Sequence, residues 1–191
     1  MNTVEYNAML DKLFGDATVY SAPLVVDWQV VDQFPDAVQC TVLAERNERL
    51  LRAAAAIDDH SMDLSEDHSE LAGEVMRLEL KVNLLIELTG QLLGQKLSLP
   101  AAVPVRLSSR GVEWSDGRLP QADERLLVSI YLYPSIPTPL QFYGTVFHIE
   151  EKSEPKVIVS FHEVGVGVEN FLDRFLFRQH RRYVAQHAGR G

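Results

Sequence analysis

The sequence predicts an α+β fold: a small antiparallel β-barrel, interrupted by a two-helix coiled-coil insertion and completed by a C-terminal helix. Three observations lead to this prediction. Strand-like runs rich in Val and aromatic residues occur on both sides of a long stretch rich in Ala, Leu, Glu and Arg. The later runs are separated by turn residues at the spacing of hairpins. Within the helical stretch, leucines recur at intervals of seven.

Residues 1–34 are predicted to supply a short helix and the first strands of the barrel. Apolar residues at helical spacing run from Thr3 to Phe14, and Gly15 is placed to end that helix. The segment Ala17–Val31 favours strand, interrupted near Pro23. Because a lone strand is not stable, we expect this segment to pair with the later strands in one sheet.

Residues 35–99 are predicted to form an inserted helical oligomerisation region. Its first helix runs from about Asp36, a good N-cap, to about Ile57. Asn47 lies in the apolar row of this helix, where it either fixes the register of neighbouring helices or faces solvent. The apolar positions follow a 3-4 spacing and are Cys40, Leu43, Leu50, Ala54 and Ile57.

The second helix of the insertion, from about Ser65 to about Gly94, carries the clearest pattern in the chain. Leucine occupies the d positions of a heptad and Val or Thr the a positions, over Leu71, Val75, Leu78, Val82, Leu85, Thr89 and Leu92. A second apolar row lies beside this seam, so the helix needs more than one neighbour to bury both rows. This row consists of Met76, Leu80, Leu84 and Leu88. We therefore expect a homotetramer around this helix, covered outside by the first helix. A dimer of helical hairpins and a helix buried in its own domain are the alternatives.

Residues 100–191 are predicted to complete the barrel and to end in an amphipathic helix, about Val168 to Gln186. The predicted strands are Val103–Leu107, Gly111–Trp114, Arg125–Tyr133, Leu140–Glu150 and Lys156–Val164. One face of the closing helix is apolar, and another carries a basic stripe of Arg174, Arg178 and Arg182. That stripe is either a solvated face or a contact for an anionic partner or for the acidic helices of the same protein.

The charge and the motif content restrict the possible functions. The net charge of −9, most of it before Gly73, disfavours nucleic acid and anionic membranes as partners. The lone cysteine, Cys40, excludes an internal disulfide and a cysteine-based zinc site. The acidic frame that begins at Asp63 has His68 where a calcium loop needs glycine. We predict no enzyme, no catalytic residue, no cofactor and no metal site, and we expect a cytoplasmic protein without a membrane span.

The strand-rich region, the closing helix and the run Val103–Val112 together resemble the PilZ family. PilZ domains are small antiparallel β-barrels that commonly bind cyclic di-GMP through Arg-x-x-x-Arg followed by Asp/Asn-x-Ser-x-x-Gly. The second motif aligns on Ser108 and Gly111, with Arg106 at the Asp/Asn position and Arg110 before the glycine. No arginine pair with the spacing of the first motif lies in a loop just ahead of that strand.

The resemblance therefore implies an atypical PilZ protein with weak or absent cyclic di-GMP binding. Such members act through protein contacts in bacterial regulation linked to this second messenger, in motility, pilus function or virulence. We accordingly predict a non-catalytic adaptor that self-assembles and binds a signalling protein. The alternative is a direct sensor that binds cyclic di-GMP at Arg106, Ser108, Arg110 and Gly111.

Overall fold

The architecture is taken from a computed structural model of the chain. It describes residues 8, 10–60, 77–78, 81–82, 84–85, 88–89, 99–115, 118–133, 138–150 and 155–188, of which 56–60, 148–150 and 183–188 are described by their backbone alone. A π-helical turn, Asp11–Gly15, comes before the first strand. The strands are β1 Tyr20–Val30, β2 Val103–Leu107, β3 Gly111–Ser115, β4 Arg125–Tyr131, β5 Leu140–Glu150 and β6 Lys156–Phe161. The helices are α1 Ala37–His60 and α2 Val166–Ala188.

The six strands form a closed antiparallel barrel in the order β1-β2-β3-β6-β5-β4. β1 closes the barrel because its first half pairs with β2 and its second half with β4, the change occurring between Leu24 and Val25. This confirms the predicted fold class and the expectation that the N-terminal strand joins the later strands. The helical insertion thus leaves the barrel after β1 and returns at β2, the neighbouring strand.

The predicted interruption of the first strand at Pro23 is wrong, because β1 runs unbroken through it. Pro23 lies directly opposite Pro104 of β2. Neither residue has a backbone N–H, so the two prolines occupy a pair of positions that exchanges no hydrogen bond in an antiparallel ladder. The proline therefore removes no ladder hydrogen bond at this place.

The barrel interior and α2 share one core. Alternate residues of the strands point inward, and Val105, Trp114 and Val128 are almost completely buried. The helix α2 adds Val168, Leu172, Phe175 and Leu176 to the same cluster. This matches the apolar face predicted for the closing helix.

The helix α1 is held against the barrel and against α2. The carboxylate of Asp36 accepts a hydrogen bond from the N–H of Gln39 (2.8 Å), which is the predicted N-cap. Leu51 and Ala54 are each 1% exposed and belong to the barrel core, and Arg52 lies over the ring of Phe171 in α2. We expected this face to cover the heptad helix. Leu51, Ala54 and Arg52 pack instead on the barrel core and on α2 of their own chain.

Asn47 joins α1 to β5. Its side chain is 3% exposed, its amide donates to the carbonyl of Gln141 (2.7 Å), and its oxygen accepts from the N–H of Gln141 (3.1 Å). The two expectations for Asn47, register between helices and solvent exposure, are both wrong. The side chain satisfies both polar groups of one strand residue that β6 does not reach.

The described residues of the heptad helix, 77–78, 81–82, 84–85 and 88–89, are helical. Their apolar side chains are exposed in the single chain: Leu78 59%, Val82 52%, Leu84 54%, Leu85 63% and Leu88 47%. Leu71, Val75, Leu92 and the acidic frame at Asp63 lie outside the described residues. In the part of the chain that is described, no helix is long and apolar enough to cross a membrane.

We predict that Asn47→Ala lowers the free energy of unfolding by about 1–3 kcal/mol, because it leaves a backbone N–H and a carbonyl without their partner. Urea unfolding followed by circular dichroism measures this loss. The matched control is Asn170→Ala, which removes an exposed asparagine from α2 and should change the stability by less than about 0.5 kcal/mol. Equal stability of the two variants would contradict the bridging role of Asn47.

Candidate ligand-binding site

The turn between β2 and β3, which we call the motif turn (Ser108–Gly111), is organised by one buried hydroxyl. The hydroxyl of Ser108 donates to the carbonyl of Leu13 (2.8 Å) and accepts from the N–H groups of Arg110 and Gly111 (3.2 Å each). The N–H of Ser108 donates to the carbonyl of Gly111 (2.9 Å). Ser and Gly at this spacing thus build a closed turn, and the serine has no hydroxyl hydrogen left for a ligand.

The motif turn is covered from outside by the N-terminal segment, Leu10–Gly15. Leu13 and Phe14 are 2% and 6% exposed and pack on Ile158, an outward-facing residue of β6. The guanidinium of Arg110 donates to the carbonyl of Lys12 (3.0 Å). The fourth predicted residue, Gly111, gives the segment room: a Cβ there would lie 3.2 Å from the side chain of Leu13 and 2.6 Å from the carbonyl oxygen of Val159.

Arg106 points to the same outer side of the barrel, but its charge is neutralised. Its guanidinium donates to a carboxylate oxygen of Glu113 (3.0 Å) and lies 4.8 Å from the centre of the Phe14 ring. Glu113 is 7% exposed, and Lys156 approaches its second oxygen at 3.4 Å. A buried carboxylate between two cations compensates one of their two charges, and it holds Arg106 in an ion pair within the chain.

An open depression of about 520 Å³ lies beside the N-terminal segment. Its lining contains one cation and one acid, and consists of Ala8, Leu10, Asp11, Phe14, Gly15 and Arg106. The predicted site residues thus come together on one outer face, but with different partners. Glu113 and the N-terminal segment were not predicted. Glu113 could have been found only from the β2–β3 register, which places it opposite Arg106.

Cys40 lies in a second, much smaller space beside β5. The thiol donates weakly to the carbonyl of Pro35 (3.8 Å). Burial raises the pKa of the Cys40 thiol above its ordinary value of 9.0, and the nearby carboxylates of Glu163 and Asp36 raise it further. The space beside it measures about 10 Å³, which is room for a single water. Cys40 is therefore a packed thiol, as its place in an apolar helical row predicted.

The basic stripe of α2 is only partly solvated. Arg174 is exposed, whereas Arg178 and Arg182 are half-buried and engaged in interactions within the chain. A fully solvated stripe is therefore wrong, and a contact with an anionic partner or with the acidic helices of the same protein stays a prediction.

Comparison with known proteins gives a match to the family described as the atypical PilZ domain, cyclic di-GMP receptor, over residues 51–189. The structure of a pathogenic protein from Xanthomonas campestris matches with a TM-score of 0.76 and 23% identity, covering 96% of this chain and 99% of that chain. That protein is described as a tetrameric PilZ domain self-assembled via an unusual helical bundle. The two chains therefore share a fold over almost their whole length.

Two further solved structures match smaller parts. The inhibitor of motility from Bacillus subtilis matches 42% of each chain, with a TM-score of 0.34 and 19% identity. YcgR from Escherichia coli in complex with cyclic di-GMP matches 47% of this chain and 40% of that chain, with a TM-score of 0.38 and 20% identity. No curated protein matches the chain.

The raised pKa of Cys40 predicts a pH dependence of stability. Above pH 9.0, the ordinary value, the unfolded chain loses a thiol proton that the folded chain keeps, so this contribution to stability falls as the pH rises. The stability advantage of the wild type over Cys40→Ala should be constant below pH 8 and shrink above pH 9. Urea unfolding of both proteins from pH 7 to pH 10 measures it. A constant difference would contradict the prediction, and Tyr131, whose pKa is also raised by burial, acts equally in both proteins.

Proposed function

The chain belongs to the atypical PilZ domain family, and from this we propose that it is a non-catalytic signalling adaptor with weak or no direct binding of cyclic di-GMP. It assembles with copies of itself through the heptad helix. It acts by contacts with a signalling protein in bacterial regulation linked to cyclic di-GMP, in motility, pili or virulence. The observation that carries the proposal is that the chain itself uses the polar groups of the motif turn.

Binding of a dinucleotide would require donors for two phosphates and cations for the guanine faces. Ser108 and Arg110 instead donate to carbonyls of the N-terminal segment, and Arg106 donates to Glu113. A ligand would have to break these contacts before making its own. The protein has a net charge of −9 and few compensating donors. A dianionic ligand would therefore gain too little to offset the loss of these contacts.

Self-assembly is supported by the apolar surface of the heptad helix. Leu78, Val82 and Leu85, which are successive seam residues, are each more than half exposed in the single chain. Leaving such a row in water is unfavourable, and burial against copies of the same helix removes it from water. The helical-bundle tetramer described for the Xanthomonas campestris protein supports the same mode of assembly. Several linked barrels would also bind a multivalent partner more tightly without new contacts.

We predict that Leu78→Gln with Leu85→Gln reduces the absolute mass from that of an oligomer to that of a 21.5 kDa chain. The polar amides at two d positions remove the apolar seam that drives association. Light scattering after size-exclusion chromatography measures the mass. Lys81→Gln, an exposed change on the same helix, should leave the wild-type mass unchanged. An unchanged mass in the double variant would contradict assembly through this seam.

The pair Leu84→Gln with Leu88→Gln separates the two assemblies, because these residues lie beside the seam. In a two-stranded coil they stay at the periphery, so the mass should remain that of a dimer. In a tetramer they contact further helices, so their replacement should lower the mass. A lowered mass is the result that we expect.

We predict that isothermal titration of the wild type with cyclic di-GMP gives no binding tighter than about 100 μM, roughly 5 kcal/mol of binding free energy. The physical reason is that Arg106, Ser108 and Arg110 are already engaged. The comparison protein is Arg106→Ala with Arg110→Ala. If the wild type binds cyclic di-GMP in the micromolar range and this variant does not, the protein is a direct sensor and the adaptor proposal is wrong.

A further inference from the structure

We propose that the outer face under the N-terminal segment is a peptide-docking surface, and that the segment is a tethered occupant which a partner protein replaces. The partner would present a short helical turn that carries two adjacent apolar side chains and has free carbonyls. This inference rests on the proposed function, since it names the surface by which the adaptor makes its protein contact. The outer face consists of the motif turn together with the outward residues of β2, β3 and β6.

The polar part of this surface fits a peptide backbone. Ser108 and Arg110 donate to two successive carbonyl oxygens, those of Leu13 and Lys12. Carbonyls at the end of a short helical turn have no partner within the turn, so they are free to accept such donors. Any peptide that forms this turn supplies the same two acceptors. The side chains of the bound peptide can therefore differ without loss of these two hydrogen bonds.

The apolar part of the surface selects the side chains. Leu13 and Phe14 are almost fully buried on Ile158, with Val19 and Phe147 packed around them. Ile158 points away from the barrel interior, so without the segment it would be an apolar residue on an outer strand face. A partner turn must cover it with groups of similar size, because protein surfaces of this kind pack without voids.

The cations on this face already have partners within the chain. Glu113 is the shared carboxylate partner of Arg106 and Lys156, and Asp11 adds a negative group at the edge of the depression. The guanidinium of Arg110 is directed at an uncharged carbonyl. A peptide carbonyl, which carries only a partial negative charge, is a suitable acceptor for these donors. A phosphate would be repelled by the neighbouring carboxylates of Glu113 and Asp11.

The segment is held in a way that allows exchange. Its π-helical part, Asp11–Gly15, has no side-chain N-cap, and the segment comes before the sheet, since β1 begins at Tyr20. The hydrogen bonds from Ser108 and Arg110 reach it through side chains, not through a strand ladder. Such a turn can leave the barrel surface while the ladders of β2, β3 and β6 remain intact.

The test uses full-length protein and a fluorescent peptide of residues 8–19, with binding measured by anisotropy. The double variant Leu13→Ala with Phe14→Ala weakens the contact between the tethered segment and the outer face. The outer face should then bind the added peptide with a dissociation constant in the micromolar range. The wild type should bind it at least tenfold more weakly, because its own segment competes at a high effective concentration. Asp16→Ala, an exposed change outside the contact, should behave as the wild type. A peptide with both apolar residues changed to alanine should not bind.

Absence of peptide binding to the folded double variant, or equal binding by the wild type, would overturn the inference. If the double variant does not fold, hydrogen exchange of the wild type decides. Amides of Leu10–Gly15 should exchange at least 100-fold faster than those of β3 and β6, and equal protection would overturn it. Binding of cyclic di-GMP instead of the peptide by the double variant would also overturn it. That result leaves the proposed function standing, because titration of the wild type with the dinucleotide tests the proposed function separately.

Discussion

The whole molecule depends on the way β1 is shared between two neighbours. Its first five residues pair with β2 and the remaining six with β4, so a single strand closes the barrel. The helical insertion follows β1 and precedes β2, two strands that are adjacent in the barrel. The six strands form a complete set of ladders although the insertion separates β1 from the other five in sequence, and the same chain combines this closed barrel with a helix whose described leucines are exposed.

The motif turn shows how a pattern associated with a ligand can serve the fold. Ser108 and Gly111 form a closed turn, and the absence of a side chain at Gly111 lets Leu13 approach the sheet. The N-terminal segment then occupies the space above this turn. In this chain the Ser-x-x-Gly pattern therefore marks the geometry of the turn. Whether it reports a nucleotide depends on arginines whose charges are free, and here Arg106 is paired with Glu113.

The local parts of the fold could be predicted from the sequence, and the non-local contacts could not. Val103–Leu107 and Leu140–Glu150 were predicted with their observed bounds because alternation and turn residues are local signals. The continuity of β1 through Pro23 depends on Pro104, and the role of Asn47 depends on Gln141; both partners are distant in sequence. Within the site, the four motif residues were identified, but the cover over them was not. Nothing in the segment around Leu13 indicates that it returns to a turn almost a hundred residues later.

The bridge from Asn47 to Gln141 has a mechanical consequence. The side-chain amide of Asn47 is hydrogen-bonded to both backbone polar groups of Gln141. The helix α1 therefore cannot rotate about its own axis without losing both hydrogen bonds. The first helix of the insertion is therefore fixed to the barrel at this point. Any change in the orientation of α1 on the barrel would therefore disturb the backbone of β5 at Gln141 as well.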